Sequence, residues 1–432
     1  MPIERLSADD NRILDLERGA IAGHTLKVIV CDRASGAGPP IVERLRHRIS
    51  ERIERVPRCR QMIKPSRVGR PSWTECPGFD PADQVRRVDE PRPLDAEALR
   101  LTASRLMAER LPRDRPLWKV DVVEQLAGGG FALIVRTHHA MADGVTTMRM
   151  ARELFFDQAD APAPSMPAPD VPGPSAATRL VSTAREIAGM PGTWRRELSR
   201  SGSSSPFAAQ VGAKRDLAFV AAPLGRLKSM GKAVGPHVTL NDVVLAVSAG
   251  GIRRWLELRG DATEGLRAKV PVSLHNHDHD AHALGNHDSF MFVDLPVGES
   301  DPVRRLLAIN AETADRKNHH DAEALDAMLR GLHETGGWGR AVERRSMDPR
   351  VFTVNISNVP GPRDEVTIFG GRMRRLLTVA EIAEMHALRI SVVSACGQMF
   401  FGLCADPEVV PGLDQMASGI EAEIAELGRA AA

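Results

Sequence analysis

The chain has 432 residues, which leaves room for two to three domains at about 150 residues each. Hydrophobic residues at 43% and charged residues at 26% exclude a disordered tail, a collagen and a disulfide scaffold. Lys+Arg 57 against Asp+Glu 56 leaves a net charge of +1, so no global field recruits nucleic acid. The cysteines (Cys31, Cys59, Cys76, Cys396, Cys404) are scattered and form no C-x-x-C pair, which points to a reducing compartment. The first residues, MPIERLSADDNRILDLERG, have no apolar signal core, and no apolar run approaches the ~18 residues of a membrane span. The expectation is a cytoplasmic protein, at most peripheral to a membrane. With no tyrosine in the chain, no phenol serves as acid, base or nucleophile.

In chain order, Ile41, Val42, Leu45, Ile49, Ile53 and Val56 recur at helical steps, and Arg44, Arg46, Arg48, Arg52 and Arg55 occupy the other face. That basic stripe, continuing to Arg70, reads either as an exposed helix face or as a surface for CoA phosphates or anionic lipid. Leu117–Val123 reads as a strand, Gly128-Gly129-Gly130 as a turn and Phe131–Val135 as the returning strand. Residues 145–156 are helical by period. Residues 157–208 break the composition: proline and alanine, then SRSGSSSP, deny regular structure except for a short helix at Arg179–Ile187. Beyond it, Val243–Arg254 reads as a buried helix, and KVPVSL, FMFVDLP, FTVNIS, LRISVVS and MFFGLCA read as strands. The expected division is therefore 1–156, a linker at 157–208, and 209–432, in a mixed α/β protein.

The sharpest feature is Thr137-His138-His139-Ala140-Met141-Ala142-Asp143-Gly144. Two histidines end an apolar strand, an aspartate follows four residues after the second, and a glycine opens a helix. Rigid elements on both sides would fix such a loop while it presents a side chain. Three readings stand: a polar loop with incidental histidines, a metal site, or a general base. A metal site lacks companions, since a catalytic zinc needs about three protein ligands. Imidazole, with a pKa of about 6.5, takes and returns a proton at neutral pH. Asp143 would fix the loop or a ring nitrogen, and Gly144 would let the backbone turn tightly.

His138-His139-Ala-Met-Ala-Asp143-Gly144 resembles the HHxxxDG motif of CoA-dependent acyltransferases. More of the chain is similar to one branch, the bacterial wax ester synthase/diacylglycerol acyltransferase family: Pro116-Leu117-Trp118, Asn241-Asp242-Val243-Val244-Leu245-Ala246, Val270-Pro271-Val272-Ser273, Leu284-Gly285-Asn286, Ser357-Asn358-Val359-Pro360-Gly361-Pro362 and Phe401-Gly402-Leu403. This resemblance implies two chloramphenicol-acetyltransferase-like α/β domains with mixed sheets, joined by a crossing linker, with an active-site channel at their interface. It implies an O-acyltransferase that moves a long-chain acyl group from acyl-CoA to a fatty alcohol or diacylglycerol, giving wax ester or triacylglycerol. His139 would be the general base beside His138. Asp143 would hold the loop through an arginine, for which Arg60 is the candidate. No cofactor and no metal is implied, acyl-CoA being the substrate. Peripheral contact with a membrane or lipid-droplet surface is compatible with such substrates; nucleic acid is not a partner.

Asn241, Ser357 and Asn358 match motif positions near the interface and are candidates for substrate or oxyanion contact. Asn241 reads equally as the N-cap of the following helix, and Trp118 as core. His275, His277, His279, His282 and His287 read as a solvated loop, and His319-His320 as surface. Gln84, Arg389, Ala395 and the segment Thr378–Met385 depart from the family pattern, which leaves the acceptor open. The alternatives are the same chemistry on another acceptor or a carrier-bound donor, and a non-catalytic lipid-binding paralogue.

Overall fold

The computed structural model describes residues 4–36, 38–66, 69–142, 144–160, 205–262, 265–273, 288–318 and 345–431. Its first half contains β1 (Glu4–Arg5), α1 (Ala8–Leu16), β2 (His24–Cys31), α2 (Ile41–Arg52), β3 (Gln61–Lys64), β4 (Ser72–Glu75), α3 (Pro81–Gln84) and β5 (Val85–Arg87). It continues with α4 (Ala96–Ala108), β6 (Trp118–Val123), β7 (Phe131–His138) and α5 (Gly144–Phe155). The second half contains β8 (Asp216–Pro223), α6 (Leu224–Val234), α7 (Leu240–Arg259), β9 (Leu266–Ser273), β10 (Asp288–Leu295) and α8 (Pro302–Asn318). It ends with β11 (Val354–Pro360), β12 (Thr367–Ile368), β13 (Gly371–Ala380), β14 (Leu388–Ala395), β15 (Gln398–Ala405) and α9 (Leu413–Ala430). Most of the expected linker, the helix expected at Arg179–Ile187, the histidine-rich loop and His319-His320 lie outside the described residues.

Two six-stranded mixed sheets organise the chain, in the orders β12-β13-β2-β7-β6-β5 and β10-β9-β11-β14-β15-β8. The β5–β6, β11–β14 and β11–β9 pairs are parallel and the remaining pairs antiparallel. Chain order and spatial order part company at β12 and β13. These strands come from the 209–432 segment, yet β13 pairs with β2 from Met373↔Cys31 to Ala380↔Thr25 and so completes the first sheet. The segment Thr378–Met385, noted above as a departure, thereby spans both lobes.

Local sequence explains the helices. Ile41, Val42, Leu45 and Ile49 of α2 are buried, and the Glu124 carboxylate accepts the free N–H groups of Ile41 and Val42 at 2.8 and 2.9 Å. The basic face of α2 is not a free surface. Arg46 donates to the Val85 carbonyl at 2.8 Å and Arg52 to the Phe156 carbonyl at 2.7 Å, while Arg48 reaches both the Phe155 carbonyl and Asp157. Arg44 and Arg48 also lie over the Phe369 ring, in the turn between β12 and β13. Arg44, Arg46, Arg48 and Arg52 thus clamp elements of the molecule together. In the second lobe, Thr239 rather than Asn241 caps α7, through a capping box with Asp242. Asp242 is fully buried and also accepts from Thr313 at 2.7 Å and Asn310 at 2.9 Å, tying α7 to α8.

The two sheets meet where β15 crosses β13. Gly402 faces the β13 backbone so closely that a Cβ there would sit 1.9 Å from the Thr378 carbonyl oxygen. A second tie is the buried pair Arg215–Glu381 at 2.7 Å, in which Arg215 also donates to the Ala20 carbonyl and Glu381 accepts the Ala22 N–H. Burial pushes the Glu381 carboxyl up against the pull of Arg215. Because the atom facing Gly402 is backbone, Gly402→Ala cannot be absorbed by a rotamer change. The expected cost is about 2 kcal/mol or more in urea unfolding, and a wild-type midpoint for G402A would refute this packing.

Candidate functional site

β7 carries the two histidines to the junction between the lobes. Phe131 to Ile134 are fully buried or nearly so, and His138 is the last residue of the strand, three beyond the expected end. The backbone then makes a fixed turn. His138 N–H donates to the Leu117 carbonyl at 2.9 Å, His139 N–H to Gly23 at 3.0 Å, and Met141 N–H to His138 at 3.0 Å. Ala140, Met141 and Ala142 pack inward.

His138 has a defined tautomer. Its Nδ1 accepts the Ala140 N–H at 3.1 Å, so the ring proton sits on Nε2, which lies 3.3 Å from Glu17 Oε2. Burial alone would raise the Glu17 carboxyl, but His138 and Arg113 outweigh it and hold Glu17 below the ordinary carboxylate range. Gly23 makes the arrangement possible. It has φ +69°, and a Cβ there would meet His138 Nε2 at 2.6 Å. His138 is thus a positioning group that ties the loop to the end of α1.

His139 is only partly buried as a residue, but its Nε2 has no accessible surface. Burial, reinforced by the charge of Arg389, holds its imidazole well below the usual histidine range, with His138, Lys27 and His24 adding to the effect. The ring is therefore neutral at pH 7, the state a proton acceptor needs. His24 sits opposite His138 in the β2–β7 register and is completely buried; burial, Arg136 and His138 push it down to about 3.

Asp143 lies outside the described residues. Gly144 opens α5, and a Cβ on it would lie 3.2 Å from Val359 of β11, so the end of the histidine loop rests on the second sheet. Ser357 is two residues from Val359 and shares its face of β11; Asn358 alternates to the opposite face, beside the fully buried Ile356. Asn241 lies half-buried in the first turn of α7. Arg60 is engaged by Glu54 and by Glu75 and lines a separate cavity of about 270 Å³ with Ile53, Cys76 and Phe79. Trp118 is core, its indole N–H donating to the Cys59 carbonyl at 2.9 Å. Sequence reasoning missed Glu17, Gly23, His24 and Lys27, which carry no local motif. It singled out Arg389 only as a departure from the pattern. Among the described residues, no His, Cys, Asp and Glu side chains group so as to hold a metal ion, and no helix is long and apolar enough to cross a membrane.

Buried neutral histidines make stability depend on acid. Below about pH 6.5 the unfolded chain takes up protons that buried rings refuse, so stability falls with pH until the folded-state value is reached. His386, stacked on Phe352 at 4.0 Å, is pushed down to about 4 by burial and by Lys269. His386→Phe keeps the stack and should flatten the loss of stability between pH 6.5 and 4 by about 1.4 kcal/mol per pH unit. Urea unfolding across that range checks this; an unchanged slope would contradict a neutral buried ring.

The sequence profile of the wax ester synthase/diacylglycerol acyltransferase catalytic domain matches residues 6–244, and that of the family's C-terminal domain matches residues 284–428. A putative diacylglycerol O-acyltransferase of Mycobacterium tuberculosis is 30% identical over 465 aligned residues, covering 99% of this chain and 98% of the relative. Among solved structures, the wax ester synthase/diacylglycerol acyltransferase of Marinobacter aquaeolei VT8 is similar with a TM-score of 0.71 at 24% identity, over 99% of both chains. The first condensation domain of the calcium-dependent antibiotic synthetase shares the two-lobe fold with a TM-score of 0.64 at 17% identity, over 100% of this chain and 97% of that one. The fold is thus the expected α/β pair of chloramphenicol-acetyltransferase-like lobes with mixed sheets. The chain belongs to the wax ester synthase/diacylglycerol acyltransferase family and is an acyltransferase.

Proposed function

We propose that the protein transfers a long-chain acyl group from acyl-CoA to the hydroxyl of a fatty alcohol or diacylglycerol, with His139 as the general base. His139 takes the hydroxyl proton as the alcohol oxygen attacks the thioester carbonyl. The tetrahedral intermediate collapses, the C–S bond breaks, and His139 returns the proton to the departing thiolate. Wax ester or triacylglycerol and free CoA are the products, with no covalent enzyme intermediate. The observation that carries this reading is the His139 side chain, its Nε2 buried, on a turn whose backbone is hydrogen-bonded to Gly23 and Leu117 at the junction of the lobes.

In this reading His138 orients the loop through Glu17, and Gly144 allows α5 to start against β11. Asp143 holds the loop through an arginine, a role that suits Arg60 poorly because two carboxylates already engage it. Ser357, on the face that meets the histidine loop, is a better candidate than Asn358 for a contact to the oxyanion. The apolar acceptor makes peripheral contact with a lipid surface part of the proposal, with acyl-CoA supplied from the cytoplasmic side.

The test is thiol release from palmitoyl-CoA with and without hexadecanol or diacylglycerol. His139→Ala should lower alcohol-dependent release by ~10²-fold or more while urea unfolding stays cooperative. Since His139 titrates well below its ordinary value, the acid limb of kcat/KM should lie below pH 6.5. Release that ignores both alcohol and His139 would refute the assignment.

A further inference from the structure

The second sheet has two unlike faces. On one, Val354, Ile356, Ile390, Val392 and Leu403 are fully buried against the helices. The other face reads Lys269, Asn355 and Arg389 along one cross-strand row, with Ser357 and Ser391 along the next. This second face meets the first lobe, because it also carries Val359 against Gly144 and Gly402 against Thr378.

An interface that only joins two lobes would be served by apolar side chains, since buried polar groups cost free energy unless something satisfies them. Two groups on this face are not satisfied among the described residues. Ser391 is 4% exposed and its Oγ has no hydrogen-bond partner, nor has the buried Oδ1 of Asn355. The row also reaches the histidine loop through a short chain of bonds. Arg389 Nη1 donates to the Glu381 carbonyl at 3.1 Å, and the Glu381 N–H donates to the His24 carbonyl at 3.2 Å. Gly23, the preceding residue, accepts the His139 N–H at 3.0 Å.

We infer that this polar row recognises the acceptor, and that it selects an alcohol bearing an anionic group, phosphate or carboxylate, over an uncharged fatty alcohol. The inference rests on the acyl-transfer chemistry of His139 and goes beyond the fatty-alcohol or diacylglycerol acceptor to an anionic one. Arg389 supplies the complementary charge, Lys269, whose ammonium lies over the Phe290 ring at 3.7 Å, adds to the positive field, and the Ser391 hydroxyl donates to an anionic oxygen. Asn355 Oδ1 accepts from a hydroxyl. A plain alkyl chain laid across the row would leave the Ser391 hydroxyl and the Asn355 Oδ1 unsatisfied.

The experiment compares hexadecanol, lysophosphatidic acid and a hydroxy fatty acid as acceptors in thiol release from palmitoyl-CoA. Of the two anionic acceptors, the better should exceed hexadecanol in kcat/KM by about 10-fold or more, and Arg389→Asn should reduce that ratio by about 10-fold, in line with loss of a charge-assisted hydrogen bond. Arg389→Lys, which keeps the charge, should retain the preference. Preference for hexadecanol over both anions would overturn the inference while leaving the acyl-transfer reading intact. So would an Arg389→Asn effect equal for all acceptors, or one confined to the KM for palmitoyl-CoA. Calorimetric binding of hexadecyl phosphate against hexadecanol, in His139→Ala and in His139→Ala/Arg389→Asn, decides the matter independently of turnover. Tighter phosphate binding that the second substitution abolishes supports the row; equal binding refutes it. Absence of thiol release with every acceptor would sink the acyl-transfer reading alone.

Discussion

The pairing of β13 with β2 is the constraint on which the rest of this structure depends. β13 is contributed by the C-terminal half, yet it is hydrogen-bonded along the strand whose first residue, His24, lies opposite His138. That single exchange fixes the second lobe against the histidine loop. It lets Glu381, just past β13, accept the Ala22 N–H, and it sets the Thr378 carbonyl against Gly402. Further ties between the lobes add to it: Arg215 donates to the Ala20 carbonyl at 2.8 Å and Arg100 to Asp216 at 2.6 Å.

Charge is spent inward in this molecule. A near-zero net charge with abundant arginine suggests a mixed polar surface, but many guanidiniums are structural joints. Glu423, 1% exposed, is bound by Arg253, Arg254 and Arg305, which gathers α7, α8 and α9 around one carboxylate. Arg136, also 1% exposed, pairs with Asp121 at 3.0 Å beneath the first sheet. Removing one partner from such a buried pair strands a charge, at about 3–5 kcal/mol. These clusters therefore specify which helices meet, a task that apolar contacts perform with less discrimination.

Much of this architecture was legible in the residues, and the limits of that legibility are physical. Helical period exposed α2, whose apolar positions are the buried ones, and most strands of the second sheet appear as short apolar runs. The histidine motif located the loop because its residue types and spacing are local properties. Sheet membership is not local: nothing in GRMRRLLTVA distinguishes a strand that stays in its own lobe from one that crosses to the other. Glu17 and Gly23 escaped notice for the same reason, since each matters only through a contact with a residue more than a hundred positions away. At Asn241 the cap was misplaced because Thr239 and Asp242 form a reciprocal pair, and Asn241 stands between them in the sequence without taking part.

The burial of His139 Nε2 bears on the choice between acyl transfer and hydrolysis. A thioester is open to attack by water as well as by an alcohol, so a base that activates hydroxyls must be kept dry. In the proposed reaction, the burial that keeps the His139 imidazole below the usual histidine range also shields it from that competitor. On the His138–Glu17 side, His138 Nδ1 accepts the Ala140 N–H, Arg113 donates to Glu17, and Glu17 Oε2 lies 3.3 Å from His138 Nε2. On the second sheet, Ser391 Oγ and Asn355 Oδ1 have no hydrogen-bond partners among the described residues. In the inference drawn above, an acceptor bound along that row supplies hydrogen bonds to both groups, so the row that would select the acceptor is also the one that the acceptor would satisfy.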